Sequence, residues 1–225
     1  MKRSRVWLFD LDNTLHDATG ASMAGINEGM TAYIERELGL DRDAAQALRR
    51  HYWQRYGATL LGLVRHHGVD ASHFLHHTHL LPGLEARVRG QVHDAAALNR
   101  LRGRKVILTN APRAYALRVL KTLGLSRCFD TVFSIEDMAM FGRLRPKPDT
   151  RMLRRVAVRL RTLPARCVLV EDTLGHQKAA RSVGMRTVWM QAWLQPEEVG
   201  VYLHRSPAYV HARIRSLQDL RRWPT

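Results

Sequence analysis

Cysteine is nearly absent from this 225-residue chain, which has only Cys128 and Cys167. Each stands beside apolar residues, which argues against a disulfide framework and for buried thiols in a reducing cytoplasm. Long apolar runs are missing too. The basic start, Met1-Lys2-Arg3-Ser4-Arg5, leads into Val6 to Phe9 and stops at Asp10, far too short for a signal peptide, and nothing elsewhere approaches a membrane-spanning length. There is no internal repeat and no low-complexity tract. Acidic residues are scarce: 20 Asp and Glu face 36 Lys and Arg, for a formal charge of +16 and a sequence pI near 11.0. That imbalance predicts an anionic partner, whether a phosphorylated small molecule, nucleic acid or an acidic surface. What is present is ordinary for a globular protein. Hydrophobic residues at 45% and charged residues at 25% exclude disorder, collagen and coiled coil, and the length suits a core domain carrying a smaller insert.

Apolar patterning divides the chain. Val6 to Phe9, ending in Asp10-Leu11-Asp12-Asn13-Thr14, reads as a buried parallel strand. Between residues 17 and 87 no strand pattern appears. Ile26, Met30, Tyr33, Ile34 and Leu38 recur at helical spacing before Gly39, a C-cap, and Asp41 is placed to N-cap a helix bearing Leu48, Tyr52 and Tyr56. Residues 17–87 are therefore expected to form an all-helical insert, with 1–16 and 88–225 making the core. In the second segment Val106 to Thr109, Thr131 to Ser134, Cys167 to Val170 and Thr187 to Met190 read as strands. The helices between them carry Tyr115, Val119, Leu120 and Leu123, then Met152, Leu153, Val156 and Leu160. Alternating strands and helices predict an α/β fold, a parallel sheet covered on both faces, with ligands at the carboxyl ends of its strands.

The unusual polar residues fall at those ends. Asp10 and Asp12 can point into one site if the chain stays extended, but two carboxylates in one pocket repel and need a cation. Glu171 and Asp172, closing another strand, offer further oxygen ligands for a hard ion such as magnesium. With a phosphate as substrate, one carboxylate can attack phosphorus and the other can move the proton. Thr109 and Asn110, between a strand and a helix N-terminus, suit an anion, and Lys147, held between Pro146 and Pro148, supplies a consistently aimed ammonium.

These residues resemble the haloacid dehalogenase-like (HAD) phosphohydrolases. Asp10-Leu11-Asp12-Asn13-Thr14 looks like motif I, Thr109 like motif II, Lys147 like motif III and Glu171-Asp172 like motif IV, in order and with fitting spacing. The resemblance implies a Rossmann-like core and an aspartyl-phosphate formed on Asp10, with Asp12 as general acid/base. It also implies magnesium held by Asp10, the Asp12 backbone carbonyl and Asp172. Within the family, residues 17–87 look like a C1-type helical cap. Tyr52 to Gly57, Leu61 to Val64 and His66 to Asp70, with the Asp12-Asn13-Thr14-Leu15 and Thr109-Asn110-Ala111 motif forms, resemble the pyrimidine 5′-nucleotidase subgroup. That implies UMP or CMP as substrate and marks Tyr56, Leu60 and Leu61 as specificity residues. His176 departs from the family pattern, since many relatives carry an acidic residue or Asn there; the departure bears on the outer metal shell.

Plainer readings stand beside these. Thr109 to Pro112 can simply cap a helix, Lys147 can be one surface cation among many, and Tyr52 and Tyr56 fit a cap core. His73 and His77 have the spacing of helical zinc ligands within the cluster His73, His76, His77 and His79, but no Cys lies close by in sequence and a solvated cap face explains the cluster as well. The Arg-rich stretch from Arg151 to Arg161 reads as a solvated helix face, without a nucleic-acid motif. Asp12 argues against a dehalogenase. A phosphatase on a phosphosugar or phosphoglycolate, a phosphomutase, and an inactive, basic nucleic-acid-binding scaffold remain the alternatives.

Overall fold

The computed structural model describes residues 5–194 and 206–222. The chain divides into two compact units, residues 1–19 with 88–225 and residues 20–87. The first is built on a six-stranded sheet of β1 (Val6–Phe9), β2 (Arg104–Leu108), β3 (Thr131–Phe133), β6 (Cys167–Glu171), β7 (Arg186–Met190) and β8 (Ala212–Ile214). Their order is β3-β2-β1-β6-β7-β8, and every neighbouring pair is parallel. A small antiparallel hairpin, β4 (Ala139–Met140) and β5 (Arg143–Leu144), stands apart from it. The α/β parallel sheet is the one the alternation predicts.

Side-chain alternation explains why β1 lies in the middle. Val6 and Leu8 join Val106, Leu108, Cys167 and Leu169 in one apolar layer with Met152, Leu153, Val156 and Ala180. Trp7 and Phe9 face the other way, stacked at 6.4 Å, with Phe129 edge-on to Phe9. A strand apolar on both faces is stable only where helices cover both. Helices α6 (Asp94–Arg100), α7 (Arg113–Thr122), α8 (Thr150–Arg159) and α9 (Leu174–Ser182) belong to this unit. Arg151, Arg154, Arg155, Arg159 and Arg161 are exposed, and Cys128 and Cys167 are buried free thiols.

Two details differ from the sequence reading. Ser134 does not continue β3. It caps the 3-10 turn Ile135–Met138 through a reciprocal pair with Asp137, a local bond that outcompetes the ladder. β8 was not expected, because a three-residue edge strand flanked by polar residues carries little periodic signal.

The second unit is helical: α1 (Ala24–Leu38), α2 (Arg42–Tyr56), α3 (Thr59–His67), α4 (Ala71–Thr78) and the single turn α5 (Leu84–Arg87). Its punctuation follows the sequence. Gly39, Gly57 and Gly68 end helices in the left-handed region, while Asp41 and Asp70 accept the N–H of Ala44 and His73 as N-caps. α1 packs against α2 and α4, and α2 against α3. Tyr33 meets Phe74 edge-on at 5.0 Å. No helix among the described residues is long and apolar enough to cross a membrane.

The α2–α3 contact depends on Gly62, where an added Cβ would come within 2.1 Å of Tyr52 Cγ. Gly62→Ala is expected to destabilise this unit by about 1–3 kcal/mol, because the near end of a buried ring cannot move aside cheaply. Thermal melting with hydrogen exchange should show residues 20–87 losing protection before β1 and β6 do.

Candidate active site

The chain leaves β1 for β2 on one side and later returns to β6 on the other, so the carboxyl end of β1 lies at the topological switch point of the sheet. Asp10 follows β1 directly, and its N–H donates to Val170 O at 3.0 Å, which keeps this residue in the extended ladder. Thr109 follows β2 and donates its N–H to Phe133 O at 2.9 Å. Glu171 is the last residue of β6. Buried strands therefore bring three of the candidate side chains to one edge.

Lys147 joins them. Its side chain is almost wholly inaccessible, at 2% relative exposure, and Nζ lies 2.7 Å from Asp10 Oδ1 and 2.7 Å from Glu171 Oε2. The surface-cation reading of Lys147 is therefore incorrect. The loop that delivers it is fixed at both ends. Asp149 N-caps α8 by accepting from Arg151 N and Met152 N, while Asn110 bonds the Lys147 backbone twice, accepting from its N–H at 2.9 Å and donating to its carbonyl at 3.0 Å. The Asn110 side chain is thus committed to positioning Lys147. It does not cap α7, whose N-cap is Pro112, and Thr109 Oγ1 accepts from Ala111 N at 3.0 Å.

Glu171 is fully buried and surrounded by donors. Its Oε1 accepts from Thr173 N at 3.2 Å and lies 3.2 Å from His176 Nδ1. His176, the departure from the family pattern, thus occupies a place against the acidic cluster. Burial alone would raise the Glu171 carboxyl, but Lys147 and His176 outweigh it and hold it well below the usual carboxylate range. Asp10 goes the other way, raised well above that range by burial and by the neighbouring Glu171, with Lys147 opposing. Burial, Glu171 and Asp10 raise Asp172 similarly. Burial lowers Lys147, but the two carboxylates prevail and raise it above its ordinary value.

Asp10, Glu171 and Asp172 each present a ligand atom within 4.8 Å of the others, the only such group of three among the described residues. Three carboxylates against one ammonium leave a surplus of negative charge, and the donors are all hard oxygens. This set fits a magnesium ion, which would relieve the repulsion that raises Asp10 and Asp172.

Asp12 lies beyond the ladder and has partners that the sequence did not suggest. Tyr115 Oη donates to Asp12 Oδ1 at 2.7 Å, and His16 Nε2 lies 3.0 Å from the same oxygen. Asn13, at φ 51°, turns the chain after it, and its Oδ1 accepts from Ala18 N and Thr19 N. Tyr115 reads in sequence as one of the apolar positions of α7, and only its hydroxyl distinguishes it. His16, four residues after Asp12, gave a fainter signal still.

The expected specificity residues lie in the helical unit. Leu60 is buried; Leu61 and Tyr56 are partly exposed. Tyr56 Oη lies 2.6 Å from His66 Nε2 and accepts from Arg55 Nε at 3.0 Å. The histidine cluster does not assemble as three metal ligands. His73 Nδ1 lies 2.8 Å from Tyr33 Oη, His77 packs edge-on against His73, and His79 Nδ1 lies 3.1 Å from Leu75 O.

Because a raised carboxyl means that ionisation opposes folding, the stability associated with Asp172 is present at low pH and falls as pH rises past the ordinary carboxylate range. Asp172→Asn is therefore expected to raise the melting temperature at neutral pH in a chelator and to shrink the stabilisation that added magnesium gives the wild type. Differential scanning calorimetry with and without magnesium checks both signs.

Similar proteins agree with this architecture. A HAD phosphatase from Thermococcus onnurineus superposes with a TM-score of 0.63 at 24% identity, covering 96% of each chain. CbbY from Rhodobacter sphaeroides, solved in complex with phosphate, gives 0.63 at 19% identity, again over 96% of each chain. An L-2-haloacid dehalogenase from Xanthobacter autotrophicus with chloropropionic acid covalently bound gives 0.56 at 18%, over 96% of each. These likenesses concern the fold. In sequence, the chain is 24% identical over 193 residues to phosphate metabolism protein 8 of Saccharomyces cerevisiae, a match covering 80% of this chain and 60% of that protein's length. With the haloacid dehalogenase-like hydrolase profile matching residues 5–184, through β1, β2, β6 and every strand-end residue described above, the chain belongs to that family of hydrolases.

Proposed function

We propose that this hydrolase is a magnesium-dependent phosphatase of small phosphomonoesters, working in the cytoplasm, and that its preferred substrates are the pyrimidine nucleoside monophosphates UMP and CMP. One observation carries the phosphatase reading: a buried Asp10 carboxylate, aimed by Lys147 Nζ at 2.7 Å, within a cluster of three carboxylates. A relative named for phosphate metabolism and a similar structure named as a phosphatase support it. So does Asp12, because a departing halide needs no proton whereas a departing alkoxide does.

Asp10 attacks phosphorus, forming a carboxyl–phosphate bond as the phosphorus–ester oxygen bond breaks, and Asp12 gives the leaving oxygen its proton. Asp12 then takes a proton from the water that attacks the aspartyl-phosphate. Inorganic phosphate leaves, and the Asp10 carboxylate is restored. Lys147 neutralises charge on the transferring group, and Thr109, with the backbone at the start of α7, supplies donors to its oxygens. Asp10, the Asp12 backbone carbonyl and Asp172 would hold magnesium, with Glu171 beside them, and the ion supplies neutralisation of the phosphate charge. In this reading residues 17–87 act as a C1-type cap choosing the leaving group, while 1–16 and 88–225 handle the phosphate. Tyr56, Leu60 and Leu61 set the preference for the nucleoside.

Phosphate release should be strong with UMP and CMP, weaker with phosphosugars and phosphoglycolate, and abolished by chelation. Efficient cleavage of another metabolite with UMP and CMP ignored would remove the nucleotidase reading and leave the phosphatase one. Asp10→Asn should lose all turnover while still melting cooperatively as a folded protein, since an amide of the same shape cannot attack phosphorus. Phosphate release from that variant at even a few per cent of the wild-type rate would contradict the nucleophile.

A further inference from the structure

The Asp12 side chain is seated between two buried groups that no motif accounts for. His16 and Tyr115 are 0% and 1% exposed, and both approach the same carboxylate oxygen, Oδ1, at 3.0 and 2.7 Å. They also meet each other, with Tyr115 Oη 3.3 Å from His16 Nε2. His16 comes from the turn after β1 and Tyr115 from α7, so the sheet and a covering helix grip one carboxylate from two directions.

The chemistry of His16 fixes its role. Its Nδ1 is buried and has no hydrogen-bond partner among the described residues. A buried N–H left unpaired costs more than a bare ring nitrogen, so the neutral tautomer carries its proton on Nε2 and donates to Asp12. Tyr115 Oη, with a single proton, donates to the same oxygen. Two donors converging on Oδ1 fix the carboxylate's rotamer and plane. Protonating that oxygen would weaken both bonds, because a hydroxyl oxygen accepts less strongly than a carboxylate oxygen, so the transferable proton belongs to the other oxygen.

We infer that Tyr115 and His16 are positioning residues for the reaction: they lock Asp12 in the one orientation from which it can give a proton to the leaving oxygen and later take one from water. The inference rests on Asp12 being the general acid/base. The group acted on is a leaving oxygen of high basicity, such as the alkoxide of an alkyl or sugar hydroxyl, which departs poorly without a proton. A nitrophenolate departs well without one.

The test compares an alkyl phosphate with 4-nitrophenyl phosphate in a magnesium buffer, after melting temperatures confirm that each variant is folded. Tyr115→Phe should lower kcat for the alkyl ester tenfold or more, leave KM within about twofold, and lower kcat for the nitrophenyl ester far less. In an Asp12→Asn background the same change should have no further effect on the alkyl ester. His16 gives a second, independent route. His16→Gln keeps a donor near Nε2 and should retain most of the alkyl activity, whereas His16→Leu should lose it. Equal losses on both esters, or a Tyr115→Phe loss that persists without Asp12, would overturn the inference. If Asp12→Asn itself leaves the alkyl-to-nitrophenyl ratio unchanged, the general acid/base reading falls first, an outcome distinguishable from failure of the clamp alone.

Discussion

The strand-end chemistry depends on one buried ammonium. Lys147 lies between Asp10 and Glu171 with 2.7 Å to each, and among the described residues it is the Lys or Arg that pairs with those two carboxylates. Taking carboxylates out of water is costly, and removing one partner of such a buried set leaves an uncompensated charge, typically about 3–5 kcal/mol. Asn110 and the Asp149 cap hold the backbone that aims this one side chain. The same arrangement leaves Asp10 well oriented but incompletely neutralised, a condition that suits a nucleophile awaiting a divalent cation and a phosphate.

Charge and packing divide the labour. The strands under the site are apolar on both faces, so the site residues begin where the sheet ends and cannot drift along it. Gln177 reinforces this boundary by donating to Glu171 O at 2.7 Å and Val188 O at 3.1 Å, and Trp189 Nε1 donates to Asp172 O at 2.8 Å. Each acidic residue is thus held through its backbone as well as its side chain. Such preorganisation is what an electrostatic mechanism requires, because donors and charges that are already in place need no rearrangement during the reaction.

Much of this was legible in the sequence, for physical reasons that can be named. Strands buried on both faces must be continuously apolar, so β1, β2, β6 and β7 stand out, and the polar residues at the ends of the first three point to Asp10, Thr109 and Glu171. Lys147 was legible because two prolines flank it. What escaped notice was whatever depends on a single atom or a short segment. The Tyr115 hydroxyl hides in an apolar helix face, His16 in a turn, and β8 in a polar neighbourhood. Nothing in the linear order shows that the Asn110 amide meets the backbone of residue 147.

The most direct measurement of the central claim is to trap the covalent intermediate and locate it. Turnover of 4-nitrophenyl phosphate with magnesium would be quenched, and the protein reduced with borohydride and mapped by peptide mass spectrometry. An acyl phosphate is reduced to an alcohol, so the account predicts homoserine at position 10 and no change at Asp12, Glu171 or Asp172. Steady phosphate release with every one of these carboxylates unmodified, or a modification confined to another residue, would contradict it.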